Sequence, residues 1–273
     1  MATKYETPEE EWAALLEGTH PHLLDRSPFR FIPSSPRCKL CKAPFRAPGG
    51  VILRPFGFRP WTKNPHICGR CFTNIDLQAR LCAPADGGTH VRGAEVEISM
   101  LFADVRGSSG IARSMPSMEF TRLMDRFYRV STDVLIEHEA IVEKFVGDEV
   151  VGLFVPFLAG TDHARVAVET ARHLLRATGH GPVDEPWVPI GVGVHTGRAF
   201  VGVVGTAATA DFTALGDPMN LAAHLASAAG PGEILVTDEA AAAAGLASGD
   251  LEHRHVSLKG RPADAFVLGV AEP

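Results

Sequence analysis

The chain has 273 residues, 45% hydrophobic and 21% charged, with a net charge of −6. That composition supports a packed core and excludes a disordered chain, and no run of about 18 apolar residues is present to cross a membrane. Residues 1–90 carry 12 Lys+Arg against 8 Asp+Glu, while residues 91–273 carry 14 against 24, so the larger, acidic part is a poor surface for nucleic acid.

The charge changes sign at Ala83-Pro84-Ala85-Asp86-Gly87-Gly88-Thr89, a turn-rich stretch that reads as a linker. Two domains are therefore expected, 1–90 and 91–273. No apolar run follows Lys4, so the start does not read as a secretory signal and a cytoplasmic location is the default expectation.

Thr7-Pro8-Glu9-Glu10 has the form of a capping box with proline at the first helical position. It predicts a short helix through Trp12, Leu15 and Leu16, ending near Gly18. The apolar residues of that helix would pack on their own chain or serve a dimer contact. Further on come two knuckles, Cys38-x-x-Cys41 and Cys68-x-x-Cys71. Two-residue spacing lets both thiolates of a pair reach one ion, and two pairs complete a tetrahedral zinc site. One such pair alone would also suit redox chemistry; two in a reducing compartment point to one structural zinc, which would supply folding free energy to a segment of modest apolar content. His66 is an alternative ligand or a plain surface histidine, and Cys82 reads as a half-buried thiol. Basic residues around the knuckles, among them Arg37, Lys42, Arg59 and Lys63, form either a nucleic-acid face or a docking surface. No recognition helix is visible, so nucleic acid is not the expected partner.

From residue 94 the hydrophobic period alternates between strand and helix. The spacing predicts a strand over 96–105, a helix over 118–138, and a hairpin of strands 140–146 and 149–155 turning at Gly147-Asp148. A helix over 162–177 follows, then a second hairpin, 188–194 and 198–204, around His195-Thr196-Gly197. A helix over 217–229, a short strand at 233–236, an alanine-rich helix and two closing strands near His255 and Phe266 complete the domain. This order is the split βαβ plan: an α+β, ferredoxin-like antiparallel sheet with helices on one face.

Two acidic residues stand out in that frame. Asp104 in Phe102-Ala103-Asp104-Val105-Arg106-Gly107 and Asp148 in Lys144-Phe145-Val146-Gly147-Asp148 each sit where an apolar run ends in a glycine turn. Such placement sets a carboxylate at a sheet rim beside backbone able to approach a phosphate. A pair of carboxylates held together is what a two-metal phosphoryl site needs.

These two segments, together with Gly191-Val192-Gly193-Val194-His195-Thr196-Gly197, Leu215-Gly216-Asp217-Pro218-Met219-Asn220 and Leu258-Lys259-Gly260, occur in the order found in class III nucleotidyl cyclases. Residues 96–270 resemble the catalytic domain of that adenylate and guanylate cyclase family. The resemblance implies that Asp104 and Asp148 hold two Mg²⁺ or Mn²⁺ ions and that backbone amides around Gly107, Ser108 and Ser109 hold the triphosphate. It implies that Lys144 and Thr213 read the base, that Asn220 orients the ribose, and that Lys259 faces a phosphate. Lys144 with Thr213 favours ATP, since a threonine hydroxyl accepts from an adenine amino group, less strongly than the aspartate many members carry.

One residue departs from the family pattern. Four positions after Asn220 the family carries arginine, and this chain has His224. Loss of one positioned donor to a transition state costs about 10²–10³ in rate. The expectation is an adenylate cyclase that is slow or compensated by another cation such as Arg106, with a non-catalytic nucleotide-binding or interaction module, or a cyclase for another base, as alternatives. In the resembled family the metal carboxylates and the base-reading residues come from different subunits, which implies a homodimer with its sites at the interface.

Overall fold

A computed structural model describes residues 5, 7–20, 29, 35–39, 41–47, 49–71, 92–181, 185–205, 211–247, 251–258 and 261–270. The chain divides into two compact units. The first gathers Met1–Val96 with Pro156–Gly160 and Phe200–Ala214; the second comprises Glu97–Val155, Thr161–Ala199 and Leu215–Pro273.

In the first unit, α1 (Pro8–Leu16) starts as its sequence dictates. The Thr7 hydroxyl accepts from the Glu10 amide at 3.2 Å, satisfying a donor with no intrahelical partner. Trp12, Leu15 and Leu16 are buried against α5 (Pro156–Ala159), where Gly18 lies close to Phe157. The apolar face of α1 is thus spent on its own chain. The segment between the cysteine knuckles forms a short helix, α2 (Gly49–Leu53), and one 3₁₀ turn (Arg54–Phe56).

The second unit follows the order β1 (Arg92–Val105), α3 (Ser108–Ser114), α4 (Ser117–Glu137), β2 (Ile141–Val146), β3 (Glu149–Phe154), α6 (His163–Ala177), β4 (Ile190–Val204), β5 (Asp211–Leu215), α7 (Asp217–Ala228), β6 (Ile234–Thr237), α8 (Asp238–Ala244), β7 (Glu252–Leu258) and β8 (Arg261–Leu268), with the outer ends of β1 and β4 and most of β5 belonging to the first unit. The strands make one eight-stranded sheet in the order β2-β3-β1-β4-β6-β8-β7, with β5 paired to β4. An α+β domain on the split βαβ plan is the observed architecture. Its long helices bury the faces their spacing marks: Met124, Phe127, Val134 and Leu135 on α4, and Ala164, Ala167, Val168, Ala171, Leu174 and Leu175 on α6. Full burial of one such large side chain contributes about 1.5–3 kcal/mol.

The expected hairpin around His195-Thr196-Gly197 is not formed. A single strand, β4, runs from Ile190 to Val204, and the partner of its far end is β5, an element the sequence reading missed. The polar pair that resembled a turn is buried and satisfied. His195 Nδ1 pairs with Thr237 Oγ1 at 2.9 Å, and Thr196 Oγ1 meets Ser99 Oγ at 2.7 Å, which in turn meets His163 Nδ1 at 2.8 Å. Polar side chains with such partners lie within a strand without penalty.

Gly193 explains how α7 is placed. A Cβ there would fall 2.4 Å from both Ala222 O and Ala226 N, so the helix backbone lies directly on β4. Leu225 and Ala229 then pack with Leu235, Val256 and Ala265 beneath α7. Gly193→Ala is expected to destabilise the fold by about 1–3 kcal/mol, the usual cost of overpacking, read as a lower urea midpoint.

Burial pushes His195 below the ordinary histidine value, and His163, His138 and His180 likewise. A histidine harder to protonate when folded leaves its stability fully present above about pH 6.5 and withdraws it as pH falls below that value. The drop in urea midpoint from pH 7.5 to pH 5.5 is therefore expected to be smaller in His195→Asn than in the wild type.

Candidate active site and metal centre

Sheet register builds the acidic corner. β1 and β3 pair antiparallel with Asp104 opposite Glu149, and Asp148 occupies the β2–β3 turn beside Gly147, whose φ is 62°. The Val105 amide donates to Asp148 O at 3.1 Å, so the two segments singled out in the sequence are joined through backbone. Burial, then the charge of Asp148, holds the Asp104 carboxyl above its usual range, against the opposing pull of Arg106. Glu149 is pushed up to about 7 by burial first and then by Asp104 and Asp148. Carboxylates gathered in this way supply hard oxygen ligands, and a divalent cation relieves their repulsion. Arg106 supplies part of that relief: its guanidinium is ion-paired to the Asp104 carboxylate and also donates to Ser227 O at 2.7 Å.

Beside this corner opens a groove of about 660 Å³ lined by Ser108, Ser109, Phe120, Tyr128, Gly147 and Asp148, among others. Gly107, at φ 68°, caps α3, and its carbonyl accepts from Gly110 and Ile111. The amides of Ser108 and Ser109 begin the helix and precede its first internal acceptor. Tyr128 donates its hydroxyl to Gly147 O, and its ring stands 4.8 Å from that of Phe145. The tyrosine thereby fastens the turn that carries Asp148.

In the first unit the four cysteine sulfurs converge within 4.8 Å of one another. Cys38 and Cys71 are 3.8 Å apart and Cys41 and Cys68 3.6 Å. A zinc tetrathiolate with bonds of about 2.3 Å has tetrahedral edges of about 3.8 Å, so these residues fit that ion. Hydrogen bonding within the cluster pulls the Cys38 thiol well below its ordinary value and pushes Cys41 and Cys71 above theirs, so four thiolates at once need a cation among them. Backbone amides of Cys68 and Cys71 point at Cys38 Sγ and Cys68 Sγ, both at 3.3 Å.

Residues 92–268 match the adenylate and guanylate cyclase catalytic domain family. The chain belongs to this family. It is 30% identical over 174 residues to an uncharacterized protein of Mycobacterium tuberculosis, a match covering 62% of this chain and 31% of that protein. It is 26% identical over 134 residues to an adenylate cyclase of Anabaena cylindrica, covering 47% of this chain and 26% of that one. The chain thus spans about a third or less of the length of these curated relatives. Among solved structures it resembles the guanylyl cyclase Cya2, with 26% identity and a TM-score of 0.56 over 66% of this chain and 96% of that one.

Within the cyclase domain the expected site residues fall into groups. Asp104, Asp148 and Gly107–Ser109 share one corner. Lys144, Asn220 and His224 do not line its groove. Lys144 lies on β2, half-exposed and ion-paired to Glu143 at 3.2 Å; Asn220 and His224 lie one turn apart on α7. Thr213 is on β5, in the first compact unit, and Lys259 falls outside the described residues. The sequence reading missed Glu149 and Tyr128. Counting from the Gly147 turn sets Glu149 opposite Val146 only; its place opposite Asp104 comes from the long-range β1–β3 pairing, which no local signal gives, while Tyr128 follows Met124 by one helical turn on α4.

Among the described residues no helix is long and apolar enough to cross a membrane. The full chain is expected to bind one Zn²⁺, measured by elemental analysis, and Cys38→Ser is expected to abolish that stoichiometry and lower the thermal midpoint.

Proposed function

We propose that the chain is an adenylate cyclase that converts ATP to 3′,5′-cyclic AMP and pyrophosphate as a homodimer, with a zinc-bound module over 1–90 and the cyclase domain over 91–273. The observation that carries the catalytic reading is the acidic corner: Asp104 opposite Glu149, joined to Asp148 and open to a groove edged by Ser108 and Ser109. Two divalent cations bound by Asp104 and Asp148 would activate the ribose 3′-hydroxyl and neutralise charge on the α-phosphoryl oxygens.

The chain's own groups do the rest. Amides at Gly107, Ser108 and Ser109 hold the triphosphate so that the 3′-hydroxyl meets the α-phosphorus in line with the departing pyrophosphate. The new O–P bond closes the ring, the P–O bond to pyrophosphate breaks, and the hydroxyl proton leaves to solvent. Asn220 orients the ribose, and Lys259 adds charge at a phosphate. Lys144 and Thr213 offer adenine a donor and an acceptor, which favours ATP over GTP. Lys144, Asn220 and His224 lie off the groove of their own chain, which supports completion of each site by a second subunit.

A slow or non-catalytic domain is the second reading, and His224 favours it. Neutral imidazole gives one donor, where arginine gives several and a permanent charge. Arg106 is already committed to Asp104 and to the end of α7, so it is a poor substitute. Incubation of the purified chain with ATP, GTP, CTP and UTP in Mg²⁺ and in Mn²⁺, followed by chromatography of the cyclic products, tests both readings. Cyclic AMP that vanishes in Asp104→Ala supports the enzyme. His224→Arg is expected to raise kcat by about 10²-fold at neutral pH, the worth of one restored transition-state donor. No cyclic product from any nucleotide favours the binding module.

A further inference from the structure

The zinc module does more in this molecule than fold itself. The loop between its knuckles returns antiparallel into the second one. The Trp61 amide donates to Ile67 O at 2.9 Å, Gly69 to Arg59 O at 2.8 Å and Arg70 to Gly57 O at 2.9 Å, and Pro60 bridges to Cys68. Asn64 and Ile67 are buried within this turn. Residues 57–64 therefore take their shape from the segment that ends in Cys68 and Cys71.

From that loop two side chains reach β5, within the same compact unit. Lys63 Nζ lies 2.7 Å from Asp211 Oδ1 and donates to Phe212 O at 3.0 Å. The Lys63 side chain is only 18% exposed but Asp211 is 61% exposed, so solvent screens the ion pair and the part-buried bond to the Phe212 carbonyl carries the grip. The Trp61 ring meets Phe212 edge-on, with centroids 6.0 Å apart and planes at 87°. Phe212 is buried, and strand alternation turns its neighbour Thr213 to the opposite face. Seating Phe212 fixes which face Thr213 presents, since a slip of one residue would exchange them.

We infer that Lys63 and Trp61 are positioning residues for Thr213, so that a metal ion in the cysteine site sets the cyclase's affinity for its nucleotide by holding β5. The inference rests on the reading of Thr213 as a base-contacting residue. Loss of the metal removes the folding free energy of the second knuckle; the 57–64 loop then loses its hydrogen-bonded partner, and β5 loses both the ammonium and the ring that seat it. The coupling is reciprocal: bound nucleotide raises the cysteine site's equilibrium affinity for zinc in competition with a chelator.

The test uses the full zinc-loaded chain. In Lys63→Met and in Trp61→Leu, KM for ATP is expected to rise by at least about fivefold, the lower end of ordinary coupling between sites. The kcat should stay within about twofold and the zinc content should not change. Lys63→Arg should keep the wild-type KM. Hydrogen exchange of backbone amides 211–215 should accelerate in both variants and in wild-type protein stripped with a chelator, a readout that needs no turnover. Unchanged exchange at 211–215 in the variants and after stripping overturns the proposal. Faster exchange with unchanged KM overturns the link to nucleotide. Thr213→Ala then tells the two failures apart: an unchanged KM there means that the reading of Thr213 has failed, and a raised one that the grip by itself does not control it.

Discussion

Three carboxylates brought to one corner of a sheet repel one another, and the arrangement around them manages that repulsion. The β1–β3 register sets Asp104 against Glu149, and the β2–β3 turn adds Asp148. Arg106 answers part of the charge, and burial together with its neighbours holds Glu149 at about 7. Such a corner is costly in an empty apolar setting and favourable where cations and a polyphosphate meet. Tyr128 and the Val105 amide hold the turn in place from two sides, which gives the carboxylates a fixed frame.

The same constraint orders the rest of the domain. Arg106 spans from Asp104 to the end of α7, the helix that bears Asn220 and His224. That helix is in turn laid on β4 through Gly193. A continuous chain of contacts therefore links the acidic corner to the helix that bears Asn220, through a guanidinium and a strand. The cation that neutralises Asp104 is also the tie between the two.

Local rules were legible in the sequence wherever local forces decide the outcome. The Thr7 cap, the apolar stripes of α4 and α6 and the glycine turn between β2 and β3 appear as their spacing requires. The four cysteines converge as their paired spacing requires. What misled was tertiary compensation. His195-Thr196-Gly197 has turn composition, yet Thr237 and Ser99 satisfy its polar groups inside the sheet. β5 is short and mixed in character; it pairs with β4, and Asp211 and Phe212 meet Lys63 and Trp61, which lie far away in sequence. Of the candidate site, the individual acidic residues could be read from motifs. The opposition of Glu149 to Asp104, the Arg106 tie and the Tyr128 brace needed register and packing.

The irregular step in β2 has its own consequence. Pairing passes from Val142 opposite Gly152 to Lys144 opposite Val151, so Glu143 is an additional residue in the strand. Ile141, Val142 and Glu143 are buried in succession, and Lys144 and Phe145 are both exposed. The face on which Lys144 emerges is therefore a matter of parity rather than of residue type. Shortening β2 by one residue would regularise the ladder and turn every later side chain to the other side, leaving the composition of the strand nearly intact and its chemistry inverted. Sequence length between Ile141 and the Gly147 turn thus decides which face of the sheet carries the ammonium of Lys144.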